Sequence, residues 1–215
     1  YNLKNKFSMN PLTVTVTPAL PLALGNENLK SFIESGYTNL SINLDYSAMQ
    51  ELNKYGLINK GFPYYGWLIA IHTSILHITK NMNIKLIFYG EDGEVEYGGS
   101  TETRNKPFYD FEYQKKVYLE NGYKELSEHL NLNLSKFYFF KYSKNDNFFN
   151  ELKITHWSYF ENWDPYRNYE IAKKYCGLEE KDTLNTGTYT NFGQTDQKLY
   201  FLHIYLMYLK FGFAR

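Results

Sequence analysis

Residues 84–99 read IKLIFYGEDGEVEYGG, and the fold turns on how this stretch divides. Residues 84–89 are a short run of β-branched and aromatic side chains. A helix-like segment precedes them and glycine follows, which predicts a buried strand. From Gly90 the texture reverses: Glu91, Asp92, Glu94 and Glu96 stand among Gly90, Gly93, Gly98 and Gly99. In open α/β sheets ligands bind beyond the carboxyl ends of the strands. On that geometry the acids hold Mg²⁺, and the glycines let backbone approach a substrate closely. A plain solvated acidic turn is the other reading of the same residues.

Working outward, the upstream chain alternates strand and helix signals. Residues 1–10 read as the end of a helix running into a turn at Asn10-Pro11. Residues 12–17 (LTVTVT) are β-branched and stop at Pro18, so they predict a strand. Residues 26–35 carry Leu29, Phe32 and Ile33 at helical spacing, with Gly36 closing the helix. Residues 38–44 alternate as the next strand. Ser47 N-caps a helix through Tyr55 that Gly56 ends. Residues 67–78 are apolar nearly all round, as in a helix buried against a sheet. The resulting order, α-β-α-β-α-α-β, predicts an α/β fold with a doubly wound parallel sheet. After residue 100 the texture becomes polar and aromatic. It holds a helical stretch at 111–130, a strand-like run at 136–142, a helix opening at Asp164-Pro165, and a long apolar-aromatic helix at 196–211. The expected division is a nucleotide-binding core at 1–100 and an aromatic-rich helical lobe at 101–215.

Composition narrows the function classes. The 215 residues carry 23 Lys+Arg and 23 Asp+Glu, a formal net charge of zero. That removes the electrostatic term that dominates nucleic-acid affinity, so no nucleic-acid partner is expected. The 22 Tyr and 16 Phe supply large half-buried surfaces suited to sugar faces and compatible with an oligomer. The one cysteine, Cys176, makes no intramolecular disulfide and fits a reducing, cytoplasmic compartment. No apolar run is long enough to span a bilayer, so no membrane insertion is expected. The chain opens on Tyr1 rather than Met and reads as a piece of a longer protein.

Further residues carry chemistry in one reading and none in another. Backbone at Val16 and Thr17, at the end of the first strand, suits a purine edge; an ordinary strand end is the alternative. His72 and His77, five apart on an apolar helix, lack the zinc spacing and read as core or helix-surface histidines. His156 and His203 read as structural. Gly187, Thr188 and Tyr189, among hydroxyls, suit a phosphate or sugar, or form a plain loop. Trp157, Tyr159, Phe160 and Trp163 suit sugar stacking, or a hydrophobic interface. Neither a nucleophile elbow, a Walker A loop nor G-x-G-x-x-G is present.

Four ordered blocks add a resemblance. FYGEDGEVEYGG, residues 88–99, resembles the FYGENGE-x-EYGG signature of the bacterial N-acetyl sugar amidotransferases, within the PP-loop ATP pyrophosphatase superfamily. NPLTVTVTP (10–18) resembles that family's second strand. WDPYRNYEIAKKYCGL with NTGTYTNF (163–192) resembles its W-D-P-x-x-x-Y…G-T-Y-T/S segment, and YLKFGFAR (208–215) its closing Y-x-K-F/Y-G-F/I-G/A-R segment. The resemblance implies an adenine nucleotide alpha hydrolase-like fold. It also implies ATP-dependent conversion of a sugar's acetamido group to acetamidino. The acetamido oxygen is adenylated with release of pyrophosphate, and ammonia then displaces AMP. A glutaminase/cyclase-type pair supplies the ammonia, and the products enter lipopolysaccharide or flagellin glycans of the pseudaminic- and legionaminic-acid type.

Carried onto this sequence, the resemblance implies Glu91, Glu94 and Glu96 as catalytic carboxylates, with Mg²⁺ on Glu91 or Asp92 neutralising pyrophosphate. Val16, Thr17, Gly90, Gly98, Gly99 and Arg215 would contact ATP. Tyr97, Thr186, Gly187, Thr188 and Tyr189 would contact the N-acetylated sugar. The departures are specific. The superfamily's S-G-G-x-D-S phosphate loop is absent and is expected immediately upstream of Tyr1. The family's amino-terminal cysteine pair and the tail beyond its final arginine are absent. Its H-P-F motif stands here as Gly61-Phe62-Pro63. Two alternatives therefore remain beside the enzyme: a non-catalytic carbohydrate-binding or scaffold domain of the same fold, and another PP-loop enzyme such as a tRNA-thiolating one. Neutral charge and the lack of catalytic cysteines count against the latter.

Overall fold

Runs of threonine and valine favour extended backbone because branching at Cβ crowds a helix and suits a pleated surface. The strand predicted at 12–17 accordingly forms as β1 (Thr13–Val16), and the one at 38–44 as β2 (Asn39–Ile42). The computed structural model describes residues 1–93, 106–132, 134–142, 147–185 and 187–212. Within these the chain is mixed helix and strand, in two compact units: Tyr1–Leu68 with Pro165–Arg215, and Ile69–Asp164. The boundary read from texture at residue 100 lies outside the described residues.

In the first unit, β1 and β2 pair in parallel, with Thr13 opposite Asn39 and Val16 opposite Ile42. Parallel pairing needs a crossover, and α2 (Ala23–Glu34) supplies it. Period-two alternation puts the threonines of β1 on one face. There Asn39 Nδ2 donates to Thr13 Oγ1 at 2.9 Å and Thr15 Oγ1 at 3.0 Å, and Thr17 Oγ1 donates to Asn43 Oδ1 at 2.8 Å. Asn28 of α2 clamps backbone at Glu179, donating to its carbonyl and accepting from its N–H. This holds α2 beside the chain that follows α7 (Pro165–Cys176). The first unit also contains α1 (Asn2–Phe7), α3 (Tyr46–Lys60) and α8 (Tyr200–Phe211).

The third helix departs from expectation at both ends. Its N-cap is Asp45, whose carboxylate accepts from the Ala48 N–H at 2.9 Å, rather than Ser47. It runs through Gly56 and ends at Gly61. Gly56 is there for close approach: a Cβ at that position would lie 2.1 Å from Tyr65 Cβ and 2.7 Å from the Phe62 carbonyl. Ala48, Met49, Leu52, Tyr64, Tyr65 and Ile204 are buried and form this unit's core.

The helix α4 (Tyr65–Asn81) leads into the second unit. There β3 (Leu86–Tyr89) pairs in parallel with β4 (Lys153–His156), Leu86 opposite Lys153 and Tyr89 opposite His156. Backbone bonds in both directions between Tyr109 and Ile154, each 3.0 Å, add an antiparallel bridge on β4. The helical stretch expected at 111–130 is split into α5 (Phe111–Val117) and α6 (Glu120–His129), with left-handed backbone at Asn121, Gly122 and Tyr123. The run at 136–142 is not a strand. Ser135–Phe140 is a 3₁₀ helix, because Phe137 and Phe140, three apart, both fall on its buried side.

Among the described residues the strands thus form two two-stranded parallel pairs, β1–β2 and β3–β4. No described helix is long and apolar enough to cross a membrane.

Candidate functional site

The carboxyl ends of β3 and β4 lie side by side, Tyr89 opposite His156, and both strands run straight into functional-looking chain. From β3 come Gly90 and Glu91, both exposed, then Asp92, buried, and Gly93. From β4 comes the turn Trp157–Tyr159. Ser158 Oγ donates to the Asp92 carbonyl, tying one strand exit to the other. Gly93 has φ +71°, and a Cβ there would lie 2.5 Å from His156 Cγ. Only glycine takes both the left-handed backbone and that seat against the imidazole. Gly93→Ala is accordingly expected to lower folding stability by roughly 1–3 kcal/mol, measured by urea unfolding. Parental stability in this variant would mean that the segment does not rest on His156.

Beneath this rim lies a buried polar and aromatic cluster. Gln114 Nε2 donates to the Tyr89 hydroxyl at 3.1 Å, and that hydroxyl is 3.1 Å from His72 Nδ1. Gln114 Nε2 also lies 3.4 Å from His72 Nδ1, and the Tyr89 hydroxyl can donate to that nitrogen or accept from it. Tyr118 stacks on His72 with ring centroids 4.8 Å apart. Burial, with the nearby charge of His156, lowers the His72 pKa to about 3. Burial raises the Tyr89 hydroxyl above its ordinary range, and the Glu91 charge adds to that rise. His156 stacks on Tyr89, and its Nε2 hydrogen-bonds the Tyr109 hydroxyl at 2.8 Å. The rim is therefore acidic, while His72 and Tyr89 beneath it are held neutral.

Of the residues singled out from sequence, the structure brings Gly90, Glu91 and Asp92 together at the end of a parallel strand. Glu94, Glu96, Tyr97, Gly98, Gly99, Thr186 and Arg215 lie outside the described residues. Among the described residues no group of three or more His, Cys, Asp or Glu gathers as a metal site. Magnesium is commonly held by one or two carboxylates together with substrate phosphates, rather than by an all-protein cage. Glu91 and Asp92 fit a cation arriving with a nucleotide in kind.

The other predicted positions belong to the first unit. The Thr17 N–H donates to the Ile42 carbonyl at 3.0 Å, and the Val16 carbonyl accepts from Trp67 Nε1 at 2.8 Å. Thr17's donor is thus engaged in the ladder, while the Val16 carbonyl keeps a second lone pair. Trp67 meets Tyr64 edge-on, and Tyr64 meets Tyr200 and His203. Gly187, Thr188 and Tyr189 sit on a loop fastened from inside. Lys181 Nζ donates to Asn185 Oδ1 at 2.8 Å and to the Gln194 carbonyl at 2.9 Å, and the Asn185 N–H donates to the Thr190 carbonyl at 2.8 Å. Tyr189 stands at this loop's tip, 98% exposed.

Sequence reasoning missed Tyr109, Gln114 and Tyr118, and took His72 and His156 as structural only. Their place beneath the rim follows from β4, whose pairing with β3 puts His156 opposite Tyr89. Trp157 and Phe160 pack against Phe88, at 5.8 and 5.6 Å between ring centroids, which engages them within the unit. No protein-family model matches the chain, and no curated protein matches it.

Proposed function

We propose that the chain is the core of an ATP-dependent N-acetyl sugar amidotransferase, with the strand exit at Gly90–Gly93 as part of its reaction centre. The observation that carries this reading is the position of Glu91 and Asp92. They leave the carboxyl end of a parallel strand, where α/β proteins bind ligands, and Asp92 and Gly93 are pinned to the partner strand's exit through Ser158 and His156. The finer fold, a doubly wound sheet of the adenine nucleotide alpha hydrolase type, is proposed with it. Support comes from both strand pairs being parallel and from the β1–α2–β2 crossover.

An amide oxygen is a poor leaving group, so the chemistry needs it adenylated before ammonia attacks. Positioning and charge neutralisation provide most of the rate in phosphoryl chemistry. Glu91 and Asp92 would hold Mg²⁺, which when bound neutralises the departing pyrophosphate. Glu94 or Glu96 would orient ammonia or take its proton. Burial keeps His72 and Tyr89, beneath the strand exit, each in one protonation state at neutral pH.

The second reading is a carbohydrate-binding or scaffold domain of the same fold without catalysis. Equilibrium binding to the product of the complete reading frame separates the two. The enzyme reading expects Mg·ATP to bind, and to bind more weakly after Asp92→Asn. Sugar binding with no affinity for Mg·ATP would favour the second reading.

A further inference from the structure

The geometry points to a self-association surface in the first unit: the outward stripe of α8, on which a second copy of this chain docks antiparallel about a twofold axis at Tyr205. It is independent of the proposed amidotransferase reading. The helix reads YFLHIYLMYLKF, apolar nearly all round, with Lys210 its one Lys, Arg, Asp or Glu. A helix of that composition is stable when covered on every side. One side is covered. Ile204 is buried, Tyr200 and His203 meet Tyr64, His203 meets Phe62 edge-on, and Lys210 Nζ donates to the Lys60 carbonyl. The other side is open. Phe201, Tyr205, Tyr208 and Leu209, at i, i+4, i+7 and i+8, are each 54–60% exposed. With 3.6 residues per turn these four fall within about 100° of one another, a single stripe. Gly212 closes the helix on the same side, and a Cβ there would meet nothing within 4 Å among the described residues.

Three features of the stripe select a second copy as its occupant. None of its four side chains is charged, so two copies meet face to face without burying an unpaired ion. The stripe is also self-complementary, as a twofold contact requires. In an antiparallel pair with Tyr205 on the axis, Phe201 of one copy lies against Leu209 of the other, twice, since each stands four residues from Tyr205. The two Tyr205 rings meet at the centre with their hydroxyls free to reach the wet rim. The third feature is area. Taking roughly 200 Å² for a large side chain, the four exposed fractions offer about 450 Å² per copy and about 900 Å² for the pair. That is the lower edge of specific interfaces, so the dimer is weak and builds up with concentration. A lipid surface is a poorer match. Interfacial helices set lysines and arginines on the face opposite their apolar one, towards the headgroups, whereas Lys210 is turned to the Lys60 carbonyl.

The test is sedimentation velocity of the product of the complete reading frame, from about 1 to about 500 μM. A reversible monomer–dimer equilibrium is expected, with Kd on the order of 50 μM. Tyr205→Glu sets two like charges against each other on the axis. It is expected to weaken dimerisation at least about tenfold, with the melting temperature unchanged because the side chain is exposed. Tyr205→Cys, in a Cys176→Ser background, is expected to form an intermolecular disulfide on air oxidation. Tyr46→Cys in the same background, comparably exposed at the start of α3, is expected to stay reduced. The proposal is overturned if the parent stays monomeric through the whole range, if Tyr205→Glu dimerises as tightly as the parent, or if Tyr46→Cys cross-links as readily as Tyr205→Cys. Co-sedimentation of a monomeric parent with phosphatidylcholine–phosphatidylglycerol vesicles, lost in Tyr205→Glu, would also overturn it and assign the stripe to a lipid surface.

Discussion

Lowering the pH from about 6.5 towards 3 is expected to cost the second unit stability through His72. The imidazole is neutral in the folded chain because burial and the charge of His156 hold its pKa at about 3, whereas an unfolded histidine titrates near 6.5. Between those values the unfolded chain binds a proton that the folded chain refuses, so stability rises with pH throughout this window. The contribution is complete above about 6.5 and is lost as pH falls, by on the order of 5 kcal/mol across the whole window. Asp196 acts in the opposite sense. Burial raises its carboxyl pKa, so the folded chain takes up that proton more readily and loses stability as pH rises. The parent's net slope therefore mixes both groups, and comparison with His72→Gln isolates the histidine. Urea unfolding at pH 7 and pH 4.5 should show a markedly smaller acid loss in His72→Gln, which retains Asp196 and a hydrogen-bonding side chain beside Tyr89. Equal acid loss in the two proteins would mean that His72 is not held neutral under Tyr89 and Tyr118.

Glu91→Gln is expected to slow AMP formation by the product of the complete reading frame about 100-fold or more. A charge aimed at a reaction centre is typically worth two to three orders of magnitude in rate. Glu91 is exposed at the mouth of the strand exit, so its replacement should leave folding intact. Asp92→Asn provides the contrast: Asp92 is buried, and its loss should register in the urea midpoint as well as in rate. Raising Mg²⁺ should recover part of the Glu91→Gln rate if the carboxylate holds the cation. Rates equal to the parent's in Glu91→Gln would remove this carboxylate from the reaction.

Local patterns made much of the fold legible. The alternation in residues 12–17 and the apolar-aromatic run at 84–89 marked β1 and β3, and the apolar girdle at 67–78 marked α4. What escaped detection depended on distant partners. Lys153–His156 is four residues long, with a lysine at one end and a histidine at the other, and becomes a strand only by pairing with Leu86–Tyr89. Gly56 read as a helix end because its packing against Tyr65 is a tertiary contact. The aromatic run in Ser135–Phe140 mimicked a strand although its buried phenylalanines recur at three. At the site, the acidic exit from β3 could be read from residues alone. The floor could not, since Tyr109 and His156 are 47 positions apart and His72, Tyr89 and Gln114 come from three elements.

The central claim is that the carboxylates leaving β3 serve ATP-driven amidation of an acetamido sugar. The direct measurement is radiolabelled AMP and pyrophosphate formed by the product of the complete reading frame from Mg·ATP, across a panel of N-acetylated sugars with ammonium ions. The account predicts AMP and pyrophosphate in equal amounts, only when both an acetamido sugar and ammonium are present, with the sugar gaining an acetamidino group. Sugar binding without any nucleotide turnover across the panel would contradict it.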